Sequence, residues 1–252
     1  MSFTSGADQY DRFMGRYSVP LTPKFLDFAQ LEDHAEVLDV GCGPGALAAE
    51  LVSRVGPASV SAVDPSETFV AAVRTRLPGV AVARAQAEAL PFDDRSFDGA
   101  LSQLVVHFMS DPVAGLREMR RVTRRGGVVA ACVWDHAGGH GPLAVFWQAA
   151  RTLNGDVDDE STRAGTRRGH LAELFDAAGL REVEDGSISV EVEHATFEEW
   201  WEPYTLGVGP AGAFVASLSA SERDQLRELC RERLGEPPLV IAARAWAARG
   251  AP

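Results

Sequence analysis

Short apolar runs alternate with amphipathic stretches through the first half of the chain. The runs are rich in β-branched residues, which is typical of strands that are buried on both faces. The stretches between them have apolar residues at helical spacing, and Asp111-Pro112 and Gly126-Gly127 mark a helix start and a helix end. Strands are predicted at 36–40, 59–63, 80–84, 98–102 and 127–133, and helices at 46–55, 66–77 and 112–123. This alternation predicts an α/β fold with a mostly parallel, doubly wound sheet.

Further elements are predicted on both sides of this core. A helix is expected to begin at Thr22-Pro23 and to reach Leu31, after an N-terminal arm that contains Tyr10 and Tyr17. Beyond the core, the pattern predicts helices at 143–153, 167–178, 196–204 and 221–234, strands at 181–193 and 239–247, a glycine-rich loop at 138–141 and a charged surface loop at 155–168. The chain has no internal repeat and no linker-like segment, so we expect one domain with insertions.

Composition and charge limit the classes of binding partner and the cellular compartment that can be expected. The net charge is −12, which argues against nucleic acid or an anionic membrane as the main partner. No apolar run of about 18 residues and no signal-peptide pattern is present. The three cysteines form no C-x-x-C pair, which is typical of reduced thiols rather than of disulfides or a zinc site. A cytoplasmic protein is therefore expected.

The segment that follows the first strand predicts the chemistry. Val37-Leu38-Asp39-Val40 ends in a turn with glycine at positions 41, 43 and 45, and a predicted helix comes next. Glycine has no Cβ, so the backbone can approach a ligand closely, and a helix N-terminus offers unpaired N–H groups. Cys42 lies inside this turn and is expected to be a small buried filler. The arrangement favours a nucleotide-like cofactor.

Two later segments reach the same edge of the predicted sheet. Asp64 ends the second strand about 20 residues beyond the last glycine, where a carboxylate can accept hydrogen bonds from both ribose hydroxyls. The segment Ala85–Phe92, with the sequence AQAEALPF, leaves the third strand at that edge. The carboxyl ends of neighbouring parallel strands lie side by side, so all three segments are expected around one crevice.

These three segments, in this order and at this spacing, resemble the small-molecule branch of the class I S-adenosylmethionine-dependent methyltransferases. The resemblance covers residues 36–133 closely and 239–250 less closely. It implies a Rossmann-like, seven-stranded sheet with an antiparallel last strand and helical cap insertions. It also implies S-adenosylmethionine as the cofactor, S-adenosylhomocysteine as the product and a small-molecule methyl acceptor. The whole chain, 1–252, is then one methyltransferase domain with an N-terminal arm (1–31), a cofactor-binding core (36–134) and an acceptor-side cap with the terminal strands (135–252).

The resemblance also implies a role for particular residues. Asp39 and the glycine turn would line the methionine part of the cofactor, Asp64 would hold the ribose, and the arm would fold over the cofactor with Arg16 on its carboxylate. The alternative for the arm is a surface helix. Gln86 stands where many relatives have an aspartate, and its amide oxygen can still reach the adenine. The expected cofactor-binding residues are Arg16, Asp39, Gly41, Cys42, Gly43, Gly45, Asp64, Pro65, Phe69, Gln86, Ala87, Glu88, Ser102 and Gln103.

Candidate catalytic residues lie after the fourth and fifth strands. A general base is needed only when the acceptor must lose a proton, and His107 is the main candidate, ahead of His140. The alternative for His107 is a ring packed at a helix start. His34, His136, His170 and His194 are expected in surface or loop positions, and no histidine–carboxylate spacing indicates a metal site, so metal-independent chemistry is expected. Aromatic residues in the cap would either line an acceptor pocket or pack in the core; they are Trp147, Trp200, Trp201, Tyr204 and Phe214.

Two other functions are compatible with parts of the pattern. A nicotinamide enzyme would normally carry G-x-G-x-x-G, whereas this turn is G-x-G-x-G, and no Tyr-x-x-x-Lys pair of a short-chain dehydrogenase is present. A methyltransferase-like protein that binds the cofactor without transferring a methyl group also stays open. The acceptor and the oligomeric state do not follow from the sequence.

Overall fold

A computed structural model describes residues 6–32 and 35–252. Its centre is one seven-stranded sheet in the order β3-β2-β1-β4-β5-β7-β6. The strands are β1 (Val37–Val40), β2 (Val60–Asp64), β3 (Ala81–Arg84), β4 (Phe97–Gln103), β5 (Thr123–Trp134), β6 (Arg181–His194) and β7 (Leu239–Ala251). Strand β7 runs antiparallel to both of its neighbours, β5 and β6, and the pairs from β3 to β5 are parallel. The expected sheet, with its antiparallel last strand, is confirmed.

Helices cover both faces of this sheet. They are α1 (Ala7–Tyr10), α2 (Arg16–Ala29), α3 (Ala46–Val55), α4 (Glu67–Arg76), α5 (Pro112–Val122), α6 (Ala144–Leu153), α7 (His170–Ala177), α8 (Phe197–Trp201), α9 (Gly209–Ser217) and α10 (Ala220–Leu234). Alternate residues of a strand enter opposite apolar layers: Leu101 packs with α2, α3 and α6, and Ala100 packs with α5 and α7. This two-faced burial explains why the strands are apolar throughout.

The prediction that a helix begins at Thr22-Pro23 is wrong. Helix α2 begins at Arg16 and contains both Pro20 and Pro23, and a five-residue π-helical turn, Asp11–Gly15, connects it to α1. A proline inside a helix removes a backbone donor and costs about 3 kcal/mol in isolation. Here every fourth residue packs into the core, and burial of this stripe offsets that cost; the stripe is Tyr17, Leu21, Phe25 and Ala29.

Two further differences lie near the ends of predicted elements. No element was predicted between the helices at 196–204 and 221–234, but Gly209–Ser217 form α9, with Pro210 in the first turn, where its missing N–H is not needed. Strand β5 begins at Thr123, so Arg124 and Arg125 belong to the strand instead of ending the helix before it. Over residues 6–32 and 35–252, every helix is too short or too polar to cross a lipid bilayer.

Candidate functional site

The turn between β1 and α3 is built from glycines in left-handed backbone conformations. Gly41 has φ +78° and Gly43 has φ +51°. A Cβ on Gly41 would lie 2.5 Å from the Cγ1 atom of Val105, whereas a Cβ on Gly43 would meet nothing within 4 Å. The backbone N–H groups of Gly41 and Cys42 both donate to the carbonyl oxygen of Val63 in β2. Gly41 is therefore required by packing, and Gly43 leaves open space beside the turn.

Asp64, at the end of β2, connects this turn to the next one. Its Oδ2 accepts a hydrogen bond from the Gly43 N–H at 2.9 Å, and its Oδ1 accepts one from the Ser66 N–H at 2.8 Å. Burial raises the pKa of this carboxyl, although the two N–H donors act in the opposite direction. Each carboxylate oxygen can accept a second hydrogen bond, so the group can still receive two hydroxyl donors.

A cleft of about 150 Å³, called the main cleft below, lies above the carboxyl ends of β1, β2 and β3. Eight of the residues expected to bind a cofactor line it: Gly41, Gly43, Asp64, Pro65, Phe69, Gln86, Ala87 and Glu88. The arm and the segment after β4 complete it with Tyr10, Leu104, Val105, Phe108, Met109 and Ser110, next to Ala85. Glu88 accepts hydrogen bonds from the N–H groups of Ser110 and Asp111, which holds the two sides of the cleft together.

A smaller cavity of about 40 Å³ adjoins the main cleft through Gly41 and Gly43, and we call it the Asp39 cavity. Asp39 is 1% exposed, and its Oδ2 has no hydrogen-bond partner in the described part of the chain. Burial, with the nearby Asp64 carboxylate, raises the pKa of Asp39 to about 8. Cys42 also lines this cavity, and burial raises its thiol pKa, which fits the expected filler role. An unpaired buried carboxylate oxygen is a suitable acceptor for a cationic amine.

Three of the expected residues contribute to the scaffold around these cavities. Ser102 donates its hydroxyl to the Val40 carbonyl oxygen and is fully buried. A Cβ on Gly45 would lie 3.2 Å from Val73, so Gly45 allows close packing of α4. Gln103 donates to the Ser18 carbonyl oxygen and lines the Asp39 cavity, where its Oε1 has no partner among the described residues.

Arg16 lies away from the residues that line these cavities. Its guanidinium pairs with the Glu199 carboxylate and hydrogen bonds to Nδ1 of His194, whose Nε2 is 3.0 Å from the Tyr17 hydroxyl. These contacts join α2 to the end of β6 and to α8. His194, which was expected at the surface, is 1% exposed. That expectation is wrong, because β6 carries His194 inward against α2.

The arm nevertheless covers the cleft, through Tyr10. Tyr10 lines the main cleft and the Asp39 cavity, and its ring meets Phe69 edge-on at 5.5 Å. Ion pairs from Asp8 and Asp11 to Arg76 attach the arm to α4. Sequence reasoning grouped Tyr10 with the arm but gave the ligand contact to Arg16, because a cationic side chain is the obvious partner for a carboxylate.

A third cavity of about 40 Å³, the His107 cavity, shares Tyr10, Leu104 and Phe108 with the main cleft. His107 lies in the short 3₁₀ turn after β4, with its ring 3.9 Å from that of Phe108. Its Nδ1 is buried without a hydrogen-bond partner among the described residues. Burial lowers the pKa of His107 well below its usual value, so the ring is neutral at pH 7. His107 therefore packs at a helix start and also faces a cavity, and its catalytic role stays a prediction.

Sequence reasoning missed two further residues of this cavity. His136 lies in the turn after β5, one of the positions expected for it, but it is only 8% exposed, and burial lowers its pKa to about 4. Glu160 lies in the loop expected at the surface but is 2% exposed, and burial raises its pKa to about 7. The position of His136 directly after a core strand was a usable signal. Nothing near Glu160 in the sequence indicates that it is buried.

The other histidines lie outside this cavity. His140 is largely exposed and contacts Asp135 at 3.2 Å and Arg244 at 2.9 Å. Nδ1 of His170 accepts a hydrogen bond from the Gly165 N–H at the start of α7. His34 lies outside the described residues.

The aromatic residues of the cap form part of the core. Phe146 stacks on Tyr204 at 4.5 Å, and the Trp200 and Tyr204 rings lie 4.8 Å apart. All five candidates belong to the apolar layer that contains α2, α6 and α10 or pack against it, and none lines the main cleft or the His107 cavity: Trp147, Trp200, Trp201, Tyr204 and Phe214. The structure therefore supports core packing, rather than an acceptor pocket, as the role of these aromatic residues.

Comparison with known proteins agrees with this arrangement. A family profile described as a methyltransferase domain matches residues 38–131. An uncharacterized methyltransferase of Mycobacterium tuberculosis is 36% identical over 135 residues, which cover 54% of this chain and 52% of the relative. The chain thus spans about half the length of the curated relatives it matches.

Solved structures share the fold at low sequence identity. A Thermotoga maritima S-adenosylmethionine-dependent methyltransferase, described as a possible histamine N-methyltransferase, is 19% identical with a TM-score of 0.59 over 97% of this chain and 94% of that one. A Haemonchus contortus phosphoethanolamine N-methyltransferase, solved with S-adenosylhomocysteine, is 18% identical with a TM-score of 0.61 over 98% of this chain and 57% of that one. Residues 38–131 are therefore similar to methyltransferase domains, and the chain has the fold of solved S-adenosylmethionine-dependent methyltransferases.

Proposed function

We propose that this protein transfers the methyl group of S-adenosylmethionine to a small organic acceptor that occupies the His107 cavity. The observation that carries the proposal is the convergence of three strand ends on one cleft, with an adjoining cavity that contains an unpaired buried carboxylate oxygen. Within one domain, the arm and the core would bind the cofactor and residues 135–252 would form the acceptor side. The three buried free cysteines support a reducing, cytoplasmic setting.

The residues of the cleft fit the parts of this cofactor. Asp64 would accept hydrogen bonds from the two ribose hydroxyls. Pro65 and Phe69 would flank the adenine ring, and Gln86 would lie at its edge. Asp39 would receive the ammonium group, because its free carboxylate oxygen lies on the cavity beside the glycine turn. The open space next to Gly43 lets the methionine part approach the backbone.

The His107 cavity offers a place for the acceptor. When bound, the cofactor supplies a sulfonium methyl group, and the residues of the chain mainly position the acceptor and exclude water. Tyr10, Leu104 and Phe108 separate the two spaces while lining both. The neutral His107 ring can accept a hydrogen bond from an acceptor hydroxyl or amine. Most of the other lining residues are apolar, so we expect an acceptor with an apolar body.

Calorimetry and turnover test this proposal. S-adenosylmethionine and S-adenosylhomocysteine should bind, and NAD should not. A panel of phenols, amines and carboxylic acids, incubated with methyl-labelled cofactor, should then give a labelled product. Binding of NAD in place of S-adenosylhomocysteine would overturn the cofactor assignment. If S-adenosylhomocysteine binds but no acceptor class receives the label, the result would favour the alternative that the protein binds the cofactor without transferring a methyl group.

Asp64→Ala is the sharpest single test of the cofactor site. The variant loses the proposed ribose hydrogen bonds, so we expect S-adenosylhomocysteine to bind about 1–3 kcal/mol more weakly by calorimetry. Asp27→Ala is the matched control, since Asp27 is exposed, pairs with Arg54 and lines none of the three cavities. Equal affinity in folded Asp64→Ala and in wild type would remove Asp64 from the site.

A further inference from the structure

We propose that His107, His136 and Glu160 form a binding site for one divalent first-row transition metal ion, of which Zn²⁺ is the representative. The sequence indicated no such site, because the three residues come from the turn after β4, the end of β5 and the loop before α7. The fold places one potential ligand atom from each within 4.8 Å of the others. All three line the His107 cavity.

The arrangement of these three groups is more typical of an empty metal site than of a proton relay. In a relay the groups would hydrogen bond to one another, yet in the part of the chain that the structure describes no hydrogen bond joins His107, His136 and Glu160. His107 is 8% exposed, and its Nδ1 has no partner there. A buried imidazole nitrogen without a hydrogen-bond partner is energetically costly, and a metal ion shared with the neighbouring groups would satisfy it.

The donor set fits a transition metal better than magnesium or calcium. Two imidazoles and one carboxylate hold catalytic zinc in several enzyme classes and non-haem iron(II) in others. Magnesium and calcium prefer oxygen ligands. Three protein ligands leave coordination positions open, and here they would face the cavity. If the proposed methyl transfer is correct, an oxygen or nitrogen of the acceptor could occupy such a position, and this role rests on that proposed function.

Arg163 is the group that competes with a metal at this position. Its guanidinium lies 3.5 Å from Glu160 and 3.6 Å from Asp158, and 5.4 Å from the centre of the Phe108 ring. Both carboxylate contacts are long for an ion pair, and the cation is shared between them. A metal ion would replace Arg163 as the counter-charge of Glu160, and Arg163 could keep Asp158 as its partner.

Zinc titration of the metal-stripped full chain tests the site. After dialysis against a chelator, calorimetry should show one Zn²⁺ per chain, and Co²⁺ should give visible absorption bands of a low-coordinate site. His136→Ala and Glu160→Gln should each weaken zinc binding at least about tenfold. Glu160→Gln keeps the side-chain shape, so it remains informative if His136→Ala does not fold. Arg163→Gln should tighten zinc binding, because a competing cation is removed.

Matched controls separate this site from adventitious binding. His140→Ala and Glu173→Gln change an exposed histidine and an exposed glutamate elsewhere, and both should leave zinc affinity unchanged. Equal zinc affinity in wild type, His136→Ala and Glu160→Gln, or no binding by wild type, would overturn the proposal. Calorimetry with S-adenosylhomocysteine on the same metal-free protein is scored separately. Failure to bind S-adenosylhomocysteine would count against the proposed function. It would not change the conclusion that the zinc titration gives about the metal site.

Discussion

At the scale of single residues, two glycines of one turn have different requirements. Gly41 and Gly43 share a left-handed backbone conformation, which costs a residue with a Cβ about 1–2 kcal/mol. Their surroundings differ, because Val105 lies against Gly41 and open space lies beside Gly43. Packing therefore requires a glycine at position 41, whereas packing places no such requirement on position 43.

Replacing each glycine by alanine should separate these requirements. Gly41→Ala should lower the free energy of unfolding by more than about 2 kcal/mol, because backbone strain adds to the collision with Val105. Gly43→Ala should lose only about 1–2 kcal/mol, but it should weaken S-adenosylhomocysteine binding, since its methyl group enters the main cleft. Urea denaturation and calorimetry on both variants provide the measurement. Similar stability of the two variants would contradict the packing argument.

At the scale of elements, the arm is fixed by two separate sets of contacts. Tyr10 reaches the cavities, and Arg16 holds α2 against Glu199 and His194. A matched pair of substitutions tests which residue meets the ligand. Tyr10→Ala should weaken S-adenosylhomocysteine binding several-fold. Arg16→Ala should leave that affinity within about twofold and lower the free energy of unfolding by about 1 kcal/mol, as expected for a partly exposed ion pair.

The opposite result would restore the role first expected for Arg16. If Arg16→Ala weakened S-adenosylhomocysteine binding as much as Tyr10→Ala, its guanidinium would have to leave Glu199 and meet the ligand carboxylate. Hydrogen exchange of residues 6–15, with and without S-adenosylhomocysteine, gives an independent readout. Protection on binding is expected there, because Tyr10 would be covered on its cleft side.

Local pattern was enough to predict most of the core elements. Helix α3 has the predicted bounds, Ala46–Val55, because glycines stop it at both ends and its apolar stripe is regular. Pattern failed where packing overrides local preference. Helix α2 keeps two prolines because its other residues fill the core, and α9 forms from a glycine-rich segment in which Gly212 packs on the backbone of Gly207.

At the scale of the whole molecule, topology decides how much of the site is visible in the sequence. The main cleft could be predicted because its residues end consecutive parallel strands, and such strand ends meet at one edge. The His107 cavity could not, because Glu160 reaches it from a loop whose charge and composition are typical of a surface. Only tertiary folding shows that this carboxylate is buried beside His107 and His136.

At this scale, the free energy of unfolding should depend on pH because Asp39 is buried. The pKa of Asp39 is raised by burial from 3.8 to about 8, so between pH 4 and 8 the unfolded chain has ionised this group while the folded protein keeps it protonated. The folded state then binds more protons, and its stability falls as pH rises through that window. The lowered pKa values of His107 and His136 act in the opposite sense at acidic pH, so wild type alone cannot isolate the effect.

Comparison of wild type with Asp39→Asn isolates the contribution of Asp39 to the pH dependence, because the two proteins share every other titrating group. The two proteins should be most similar in stability below about pH 3, where Asp39 is protonated in both the folded and the unfolded state. The variant should gain on wild type by up to about 1.4 kcal/mol per pH unit as the pH rises towards 8, measured by urea denaturation. Binding of S-adenosylhomocysteine should ionise Asp39 through its ammonium group, so wild-type affinity should rise over the same pH range and that of Asp39→Asn should not. A constant stability difference from pH 4 to 8 would mean that Asp39 is already ionised in the folded protein, and that its free oxygen is hydrated rather than reserved for a cation.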